Sequence, residues 1–195
     1  ALVASAPAHL PETLARSTRN LREWDAVDRC AGVSARFAIA GAETIAAAAL
    51  HRATRQHEEV AVARPVDLET AVDVLGGKIE FETGEEGRER AILEHLLRTA
   101  VADTARAHLR GLDSRALADA LHTGATVMTG EQVPAAEVLA AMPVLGESDL
   151  YDQVALRLDA VTPGERAGAL ELLLESLYLE KKIGKDSAGG ETVYG

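Results

Sequence analysis

The sequence has 195 residues and a formal net charge of −11, with 47% hydrophobic and 26% charged residues. The negative charge argues against general nucleic-acid binding, which needs clustered Lys and Arg, and against docking on anionic membranes. The length allows one or two domains with a substantial core. Because aromatic residues make up only 3%, that core must be built from Ala, Leu and Val, which favours packed helices.

Cysteine usage and hydropathy indicate the compartment. Cys30 is the only cysteine, which excludes an intramolecular disulfide and favours a reducing, cytoplasmic setting. No apolar run approaches the roughly 18 residues that span a bilayer. We therefore expect a cytoplasmic protein with no membrane span and no secretory signal.

The first part of the chain is predicted to hold three helices and one short extended piece. Pro11 suits a first helical position, and Asp67 is predicted to cap the third helix, which Gly76 and Gly77 stop. Gly41 lies inside the second helix and argues against an unbroken run. The predicted elements are a helix over 10–24, a helix from Ser34 to about 56–57, an extended piece over 60–63 and a helix over 67–75.

The start of the second helix carries an unusual residue choice. Gly32 permits a turn, and Ser34 is a good N-cap, which would place Arg36 in the first helical turn. A cation there is unfavourable, because the helix dipole prefers a negative group at this end. An unfavourable local choice of this kind can mark a side chain with another task.

The second part of the chain reads as more helices and a terminal hairpin. Glu94 and Arg98 form an i,i+4 pair on the solvent side of a long helix, and Thr162 to Glu165 is a capping box with proline at the first helical position. Short helices followed by a hairpin suggest a winged-helix-like unit. The elements are an extended piece over 78–82, helices over 85–110, 113–122, 134–142, 149–159 and 162–181, a strand over 125–129, and a hairpin over 182–194.

Three segments resemble a known protein class. Gly32-Val33-Ser34-Ala35-Arg36 resembles the Gly-x-Ser-x-Arg segment in the helical lid of AAA+ ATPases of the MoxR and magnesium-chelatase type. Gly77-Lys78-Ile79-Glu80-Phe81-Glu82 is similar to a segment just after the lid in the magnesium-chelatase-like branch. The ending, 182–186 and 190–195, resembles the end of those chains.

The resemblance implies a fold and a division of the chain. It implies a mainly α protein, with an AAA+ helical lid over 1–77. A helical, winged-helix-like C-terminal domain with a short terminal β-hairpin would follow over 78–195. In that family the arginine at the position of Arg36 is the sensor-2 residue, which contacts the terminal phosphate of ATP. Arg36 is therefore the candidate for both the catalytic and the nucleotide-binding residue, since a planar guanidinium donates to two phosphate oxygens.

The resemblance also implies cofactors and partners. The parent ATPase would bind ATP and Mg²⁺, assemble as a homo-oligomeric ring, and pass energy to a partner, often a protein with a von Willebrand-type metal site. This sequence contains no Gly-x4-Gly-Lys-[Ser/Thr] loop, which cradles phosphates. We therefore expect the chain alone, without the remaining AAA+ core, to be inactive as an ATPase.

Metal binding is not predicted. The six histidines form no His-x-x-x-His pair, and one cysteine makes a structural zinc site improbable. Asp119 and His122 could place two ligands on one helix face, but most such pairs are surface residues.

The alternative is a free-standing acidic helical module for protein interaction or regulation, with a winged-helix-like end. A wing often implies DNA, but the negative charge of the chain favours a protein partner. The final hairpin is locally basic, with Lys181, Lys182 and Lys185, so weak DNA contact stays open.

Overall fold

The computed structural model describes residues 4–24, 35–76, 87–142 and 149–195. Within these ranges the chain is mainly helical, as predicted, with two small β-sheets. The elements are β1 (Ala4–Ser5), α1 (His9–Glu23), α2 (Ala35–Arg55), β2 (Ala61–Val62), α3 (Asp67–Gly76), α4 (Glu89–Leu109), α5 (Arg115–His122), β3 (Val127–Gly130), α6 (Ala135–Ala140), α7 (Leu150–Arg157), α8 (Pro163–Leu179), β4 (Lys185–Ala188) and β5 (Glu191–Tyr194).

Helix α2 runs without a break through Gly41, the residue that weakened the prediction of one continuous helix. The reason is packing: a Cβ at this position would lie 3.2 Å from the Leu14 Cδ2 atom of α1. The glycine therefore allows two helices to approach closely. The packing contact between α1 and α2 offsets the low helix propensity of the glycine.

Of the two predicted helix caps, the capping box at the start of α8 is confirmed and the cap at the start of α3 is wrong. At α8 the capping box is formed: the Thr162 hydroxyl accepts from the Glu165 N–H, and the Glu165 carboxylate accepts from the Thr162 N–H. Asp67 was predicted to cap α3. Instead its carboxylate accepts from the N–H of Arg64, before the helix, at 2.7 Å.

The terminal hairpin is confirmed and belongs to a three-stranded sheet. Strands β4 and β5 pair antiparallel around a turn at Gly189 and Gly190. Strand β3 adds to the free edge of β5, so that the order is β3-β5-β4. This pairing was not predicted, because it joins segments far apart in the sequence. The second sheet is a parallel pair of β1 and β2.

Helices α4 and α8 form the centre of the packing. Helix α1 lies along α4, α2 lies on α3 and α1, and α8 contacts α4, α6 and α7. Buried apolar side chains from Leu10 to Tyr194 belong to a single cluster. The predicted domain boundary near Gly77 lies outside the described residues, as does the extended piece over 78–82, and the two-domain division stays a prediction. None of the helices in the described ranges is long and apolar enough to cross a membrane.

Candidate functional site

Arg36, the one residue predicted to act on a ligand, lies in the first turn of α2. The helix begins at Ala35 and has no acidic residue in its first turn, so the expected position in the helix is confirmed. The predicted cap, Ser34, and the preceding Gly32 and Val33 lie outside the described residues, as do Cys30 and the side chain of Arg36. The structure thus gives the place of Arg36 on the backbone and not the direction of its guanidinium.

The opposite end of α2 carries a buried arginine that sequence reasoning missed. The side chain of Arg52 is 2% exposed and forms ion pairs with Asp67 at 3.0 Å and with Glu58 at 2.8 Å. It also donates to the carbonyl oxygen of Val62 at 2.6 Å. Glu58 in turn accepts from the N–H of Ala135, where α6 begins. One side chain therefore joins the end of α2 to β2 and the start of α3, and Glu58 extends the link to α6.

A second buried arginine lies between β2 and α3. Arg64 has no exposed surface, and its Nη2 atom donates to the carbonyl oxygens of Gly130 and Val133 at 3.2 and 2.7 Å. Its Nε atom lies 3.5 Å from Oε1 of Glu171 on α8. Arg64 thereby fixes the segment before α3 against strand β3, against the loop that follows β3, and against helix α8.

Glu171 is a buried carboxylate that pairs with the Arg64 guanidinium at 3.5 Å. Its side chain is 2% exposed. Burial raises the pKa of Glu171 from 4.5 to about 6, although the positive charges of Arg64 and Arg52 lower it. The backbone N–H of Val66 acts in the same direction as the two arginines, so this buried carboxylate is balanced by groups of the protein itself.

Glu171 is among the residues that line a cleft with a volume of about 610 Å³, and both of its carboxylate oxygens are buried. The cleft lies between α3, α4, α8 and the β4-β5 hairpin, and this volume is typical of sites for small ligands. Its apolar wall is formed by two residues of α3 and two of α4, namely Leu68, Val72, Leu97 and Val101.

The hairpin end of the cleft holds an ordered group of polar side chains. The ammonium of Lys185 lies 2.8 Å from Oε2 of Glu175, and the hydroxyl of Tyr194 donates to the same oxygen at 2.6 Å. The ammonium also lies 5.5 and 5.7 Å from the ring centroids of Tyr178 and Tyr194, within the range of cation–π attraction. Burial and the neighbouring charge of Glu175 raise the pKa of Tyr194 well above its usual range.

Lys185 therefore differs from the exposed basic residue that the hairpin suggested. Its side chain is only 15% exposed, and it is engaged by carboxylates of α8 and α3. Lys182 is exposed and pairs with Glu180 at 2.7 Å. Lys181 is exposed as well, so two of the three lysines of the predicted basic hairpin are exposed to a partner and Lys185 is not.

The structure does not join Asp119 and His122 into a metal site. Nδ1 of His122 lies 2.8 Å from the carbonyl oxygen of Ala118 on its own helix. Among the residues that the structure describes, no group of three or more His, Cys, Asp or Glu side chains is arranged to hold a metal ion.

The sequence around Glu171 and Arg64 indicates that these charged residues are buried, but it does not indicate their partners. Glu171 lies inside the run Leu170-Glu171-Leu172-Leu173-Leu174, and a helix that is apolar all round is a buried helix. A charged residue in such a helix must itself be buried and needs a partner. Arg64 similarly follows the apolar run 60–63. The identity of the partners could not be found this way.

Comparisons of this chain with protein-family models, with curated proteins and with solved structures gave no match. The resemblance to AAA+ ATPases therefore rests on the short sequence segments alone.

Proposed function

We propose that this chain is the lid and C-terminal helical part of a magnesium-chelatase-like AAA+ ATPase, which couples ATP hydrolysis to remodelling of a partner. The observation that carries the proposal is the place of Arg36 in the first turn of α2, where the backbone N–H groups have no partner within the helix. A cation at this end is unfavourable on its own. A bound phosphate accounts for it, because the helix end and the guanidinium both attract an anion.

The order of elements gives a second, weaker support. A helix, a second helix, a short extended piece and a third helix are what the resemblance implies for an AAA+ lid. Helices α1, α2 and α3, with β2 between the last two, follow this order. The order is compatible with other helical folds, so it supports the proposal only together with Arg36.

The proposal assigns this chain one chemical role in the reaction. Arg36 would stabilise the negative charge that develops on the transferred phosphate of ATP, and it would not act as the base. ATP and Mg²⁺ would bind to the remaining AAA+ core, since this sequence has no phosphate-binding loop. The proposal includes a homo-oligomeric ring, a von Willebrand-type partner and a cytoplasmic location.

The test is the ATPase rate of the gene product that contains this sequence together with its AAA+ core. We expect Arg36→Ala to lower kcat by at least about tenfold, with Arg36→Lys intermediate because it keeps the charge and loses the planar fork. The matched control is Arg55→Ala, at the exposed last turn of the same helix, which should keep the rate. Unchanged turnover in Arg36→Ala would overturn the role of Arg36.

The alternative is a free-standing interaction module, and the C-terminal elements are compatible with both functions, since both include a winged-helix-like end. From α5 to β5 the chain runs helix, strand, helices, hairpin, and the first strand pairs with the last. The helix before the wing is α8, which in a DNA-binding protein of this type would read the groove. Here α8 is buried under α4, α6 and α7, which favours a protein partner over DNA.

Two measurements separate these functions. An immunoblot of source-cell extract with an antibody against this chain should show a band well above its 20.6 kDa if the chain belongs to an ATPase. A single band near that mass favours the module. A gel shift at physiological salt that showed tight, salt-sensitive DNA binding would overturn the preference for a protein partner.

A further inference from the structure

We propose that the free edge of strand β4 is a docking site for an extended, basic segment of a partner protein, which adds to the sheet as a fourth strand. The backbone of β4 supplies the hydrogen bonds, and Asp186 selects a lysine or arginine at the position opposite it. The edge contains no residue of α2, so the inference is independent of the role proposed for Arg36.

The pairing of β4 with β5 determines which backbone groups of β4 point away from the sheet. Gly184 and Gly195 exchange two backbone hydrogen bonds, at 2.6 and 3.3 Å. Hydrogen-bonded and non-hydrogen-bonded pairs alternate along an antiparallel ladder, so Asp186, two residues further along the same register, also bonds to β5. The N–H and C=O groups of Lys185 and Ser187 therefore point to the other side.

The outward backbone groups of β4 have no hydrogen-bond partner among the residues that the structure describes. Strand β4 ends the strand order, three of its four residues are exposed, and β5 is the only described element with extensive contacts to it. The opposite edge of the sheet is closed, because the carbonyl oxygen of Gly130 on β3 accepts from Arg64 and from the N–H of Val133. Strand β4 is thus the edge of this sheet that can take a further strand.

The edge lacks the usual protection against strand addition. Proteins guard such edges with proline, with bulges or with lysine side chains that extend from the edge. The segment Lys185–Ala188 contains no proline and pairs with β5 in a continuous register. The ammonium of Lys185 is held by Glu175 of α8 at 2.8 Å, so it does not guard the edge. Two outward residues offer four backbone hydrogen bonds to an added strand.

Charge at the edge indicates a basic occupant. In the new ladder Lys185 and Ser187 would form the hydrogen-bonded pairs, which puts Asp186 in a non-hydrogen-bonded pair, where opposite side chains are closest. Asp186 is exposed and has no ion-pair partner in the part of the chain that the structure describes. A lysine or arginine opposite this carboxylate is favourable. The net charge of −11 attracts a basic segment from a distance.

The same carboxylate argues against a second copy of this chain as the occupant. Two antiparallel β4 edges satisfy all four outward backbone groups when Lys185 of each copy lies opposite Ser187 of the other. That register puts the Asp186 side chains of the two copies directly opposite each other. Like charges at opposite positions are destabilising, so the occupant is a different segment.

The positions next to the basic residue should be apolar. Lys185 and Ser187 line the cleft described above, and residues directly opposite in a sheet project to the same face. The neighbours of the basic residue would therefore project on the side of the cleft, where α3 and α4 provide an apolar wall. A segment with alternating apolar and basic residues fits both sides of the edge.

The experiment is a fluorescence anisotropy titration of the full chain into a labelled peptide, acetyl-Thr-Lys-Val-Lys-Val-Lys-Thr-amide. A peptide with both valines N-methylated keeps the charge and loses the N–H groups that would bond to the edge. A peptide with glutamate in place of each lysine keeps the N–H groups and reverses the charge. Both should bind at least about tenfold more weakly than the parent peptide. Equal binding of the N-methylated peptide, or no binding of the parent at about 1 mM, overturns the proposal.

Variants of β4 locate the binding. Ser187→Pro removes an outward N–H, at an edge position where proline is tolerated, and should weaken binding at least about tenfold. Ser187→Ala is the matched control: it removes the hydroxyl, which contacts Thr192, keeps the N–H, and should bind as the wild type does. Asp186→Lys, at an exposed position, should bind the glutamate peptide better than the lysine peptide. Full affinity in Ser187→Pro, or an unchanged preference in Asp186→Lys, overturns the proposal, and the second variant keeps the test decisive if the first does not fold.

Sedimentation velocity of the full chain without peptide tests the rival occupant. We expect that Ser187→Pro leaves the oligomeric state of the wild type unchanged, because the edge does not pair with a second copy. A concentration-dependent dimer that Ser187→Pro abolishes and Ser187→Ala keeps would assign the edge to a second copy of this chain and overturn the proposal.

Discussion

The guanidinium of Arg64 and the carboxylate of Glu171 face each other at 3.5 Å, and neither side chain is more than 2% exposed. Arg64 also donates to the carbonyl oxygens of Gly130 and Val133. The pair therefore links the segment before α3 to strand β3, to the loop after β3 and to helix α8. Removing one member of such a pair leaves a buried charge without a partner, which is strongly destabilising.

We expect Arg64→Met and Glu171→Leu each to lower the free energy of unfolding by about 3–5 kcal/mol. The double variant should lose at least about 1 kcal/mol less than the sum, because no lone charge remains buried. Urea denaturation followed by circular dichroism measures all three. Arg98→Ala, which breaks an exposed pair with Glu94, should cost less than about 1 kcal/mol. Additive losses in the double variant would show that the two charges do not interact.

The elements of this fold were largely predictable, because their signals are local. The capping box at Thr162 and the apolar periodicity of α4 depend on residues three to seven positions apart, and both were confirmed. The β3 strand was also predicted, but its partner was not. Pairing with β5 is decided by tertiary packing of the intervening helices, which periodicity does not encode.

The candidate cleft was less predictable, since it is assembled from four distant segments. Glu171 could be placed in a buried helix from the leucines around it, but Arg64 could not be recognised as its partner. Lys185 was interpreted as part of a basic hairpin, whereas it lies against Glu175. Its exposure depends on where the hairpin packs, and the charge of a segment says nothing about that.

His9 should make stability depend on pH. It is 2% exposed, and neither ring nitrogen has a hydrogen-bond partner among the described residues. Burial, with a smaller effect of nearby His108, lowers the pKa of His9 from 6.5 to about 4. Between these values the unfolded chain binds a proton that the native protein does not, so stability falls as the pH falls from 6.5 to 4.

The size of this effect is at most on the order of 3 kcal/mol, and His9→Leu should remove it. Urea midpoints of the variant and the wild type, compared at each pH from 4 to 7, measure it. Glu171 acts in the opposite sense, because its raised pKa stabilises the native protein below 4.5 and that contribution is lost as the pH rises through about 6. Because both proteins contain Glu171, its contribution cancels when they are compared at the same pH.

The control is His51→Gln, at an exposed position of α2, which should keep the pH dependence of the wild type. An unchanged pH dependence in His9→Leu would contradict the role of His9.

Two glycines of α8 should respond to alanine in opposite directions. A Cβ at Gly164 would lie 2.7 Å from Cγ2 of Val62 on β2, whereas one at Gly168 would have its nearest neighbour at 3.6 Å, an ordinary contact. Gly164→Ala should therefore cost about 1–3 kcal/mol through overpacking. Gly168→Ala should be neutral or stabilise by up to about 1 kcal/mol, because alanine is the better helix former.

Thermal unfolding of the two alanine variants gives the comparison directly. Adding Val62→Ala to Gly164→Ala should recover only part of the loss, because it removes the Cγ2 atom at 2.7 Å but keeps the Cβ atom at 2.8 Å from the new methyl group. If the Gly164→Ala variant were as stable as the Gly168→Ala variant, β2 would move away from the new Cβ atom without a loss of stability, and the overpacking prediction would be wrong.

Lys181 ends α8 in a left-handed conformation that glycine adopts more readily. Its φ is 60°, and the N–H of Lys182 donates to the carbonyl oxygen of Leu177 at 2.9 Å, which closes the helix end. Lys181→Gly should be more stable than Lys181→Ala by about 0.5–1 kcal/mol, since both lose the lysine side chain beyond Cβ and only alanine keeps the Cβ atom that strains a left-handed backbone. The same pair of substitutions at Lys182, whose φ is not positive, should give the opposite order, because there glycine only adds entropy to the unfolded chain. Urea midpoints of the four variants test the assignment, which fails if alanine is favoured at both positions.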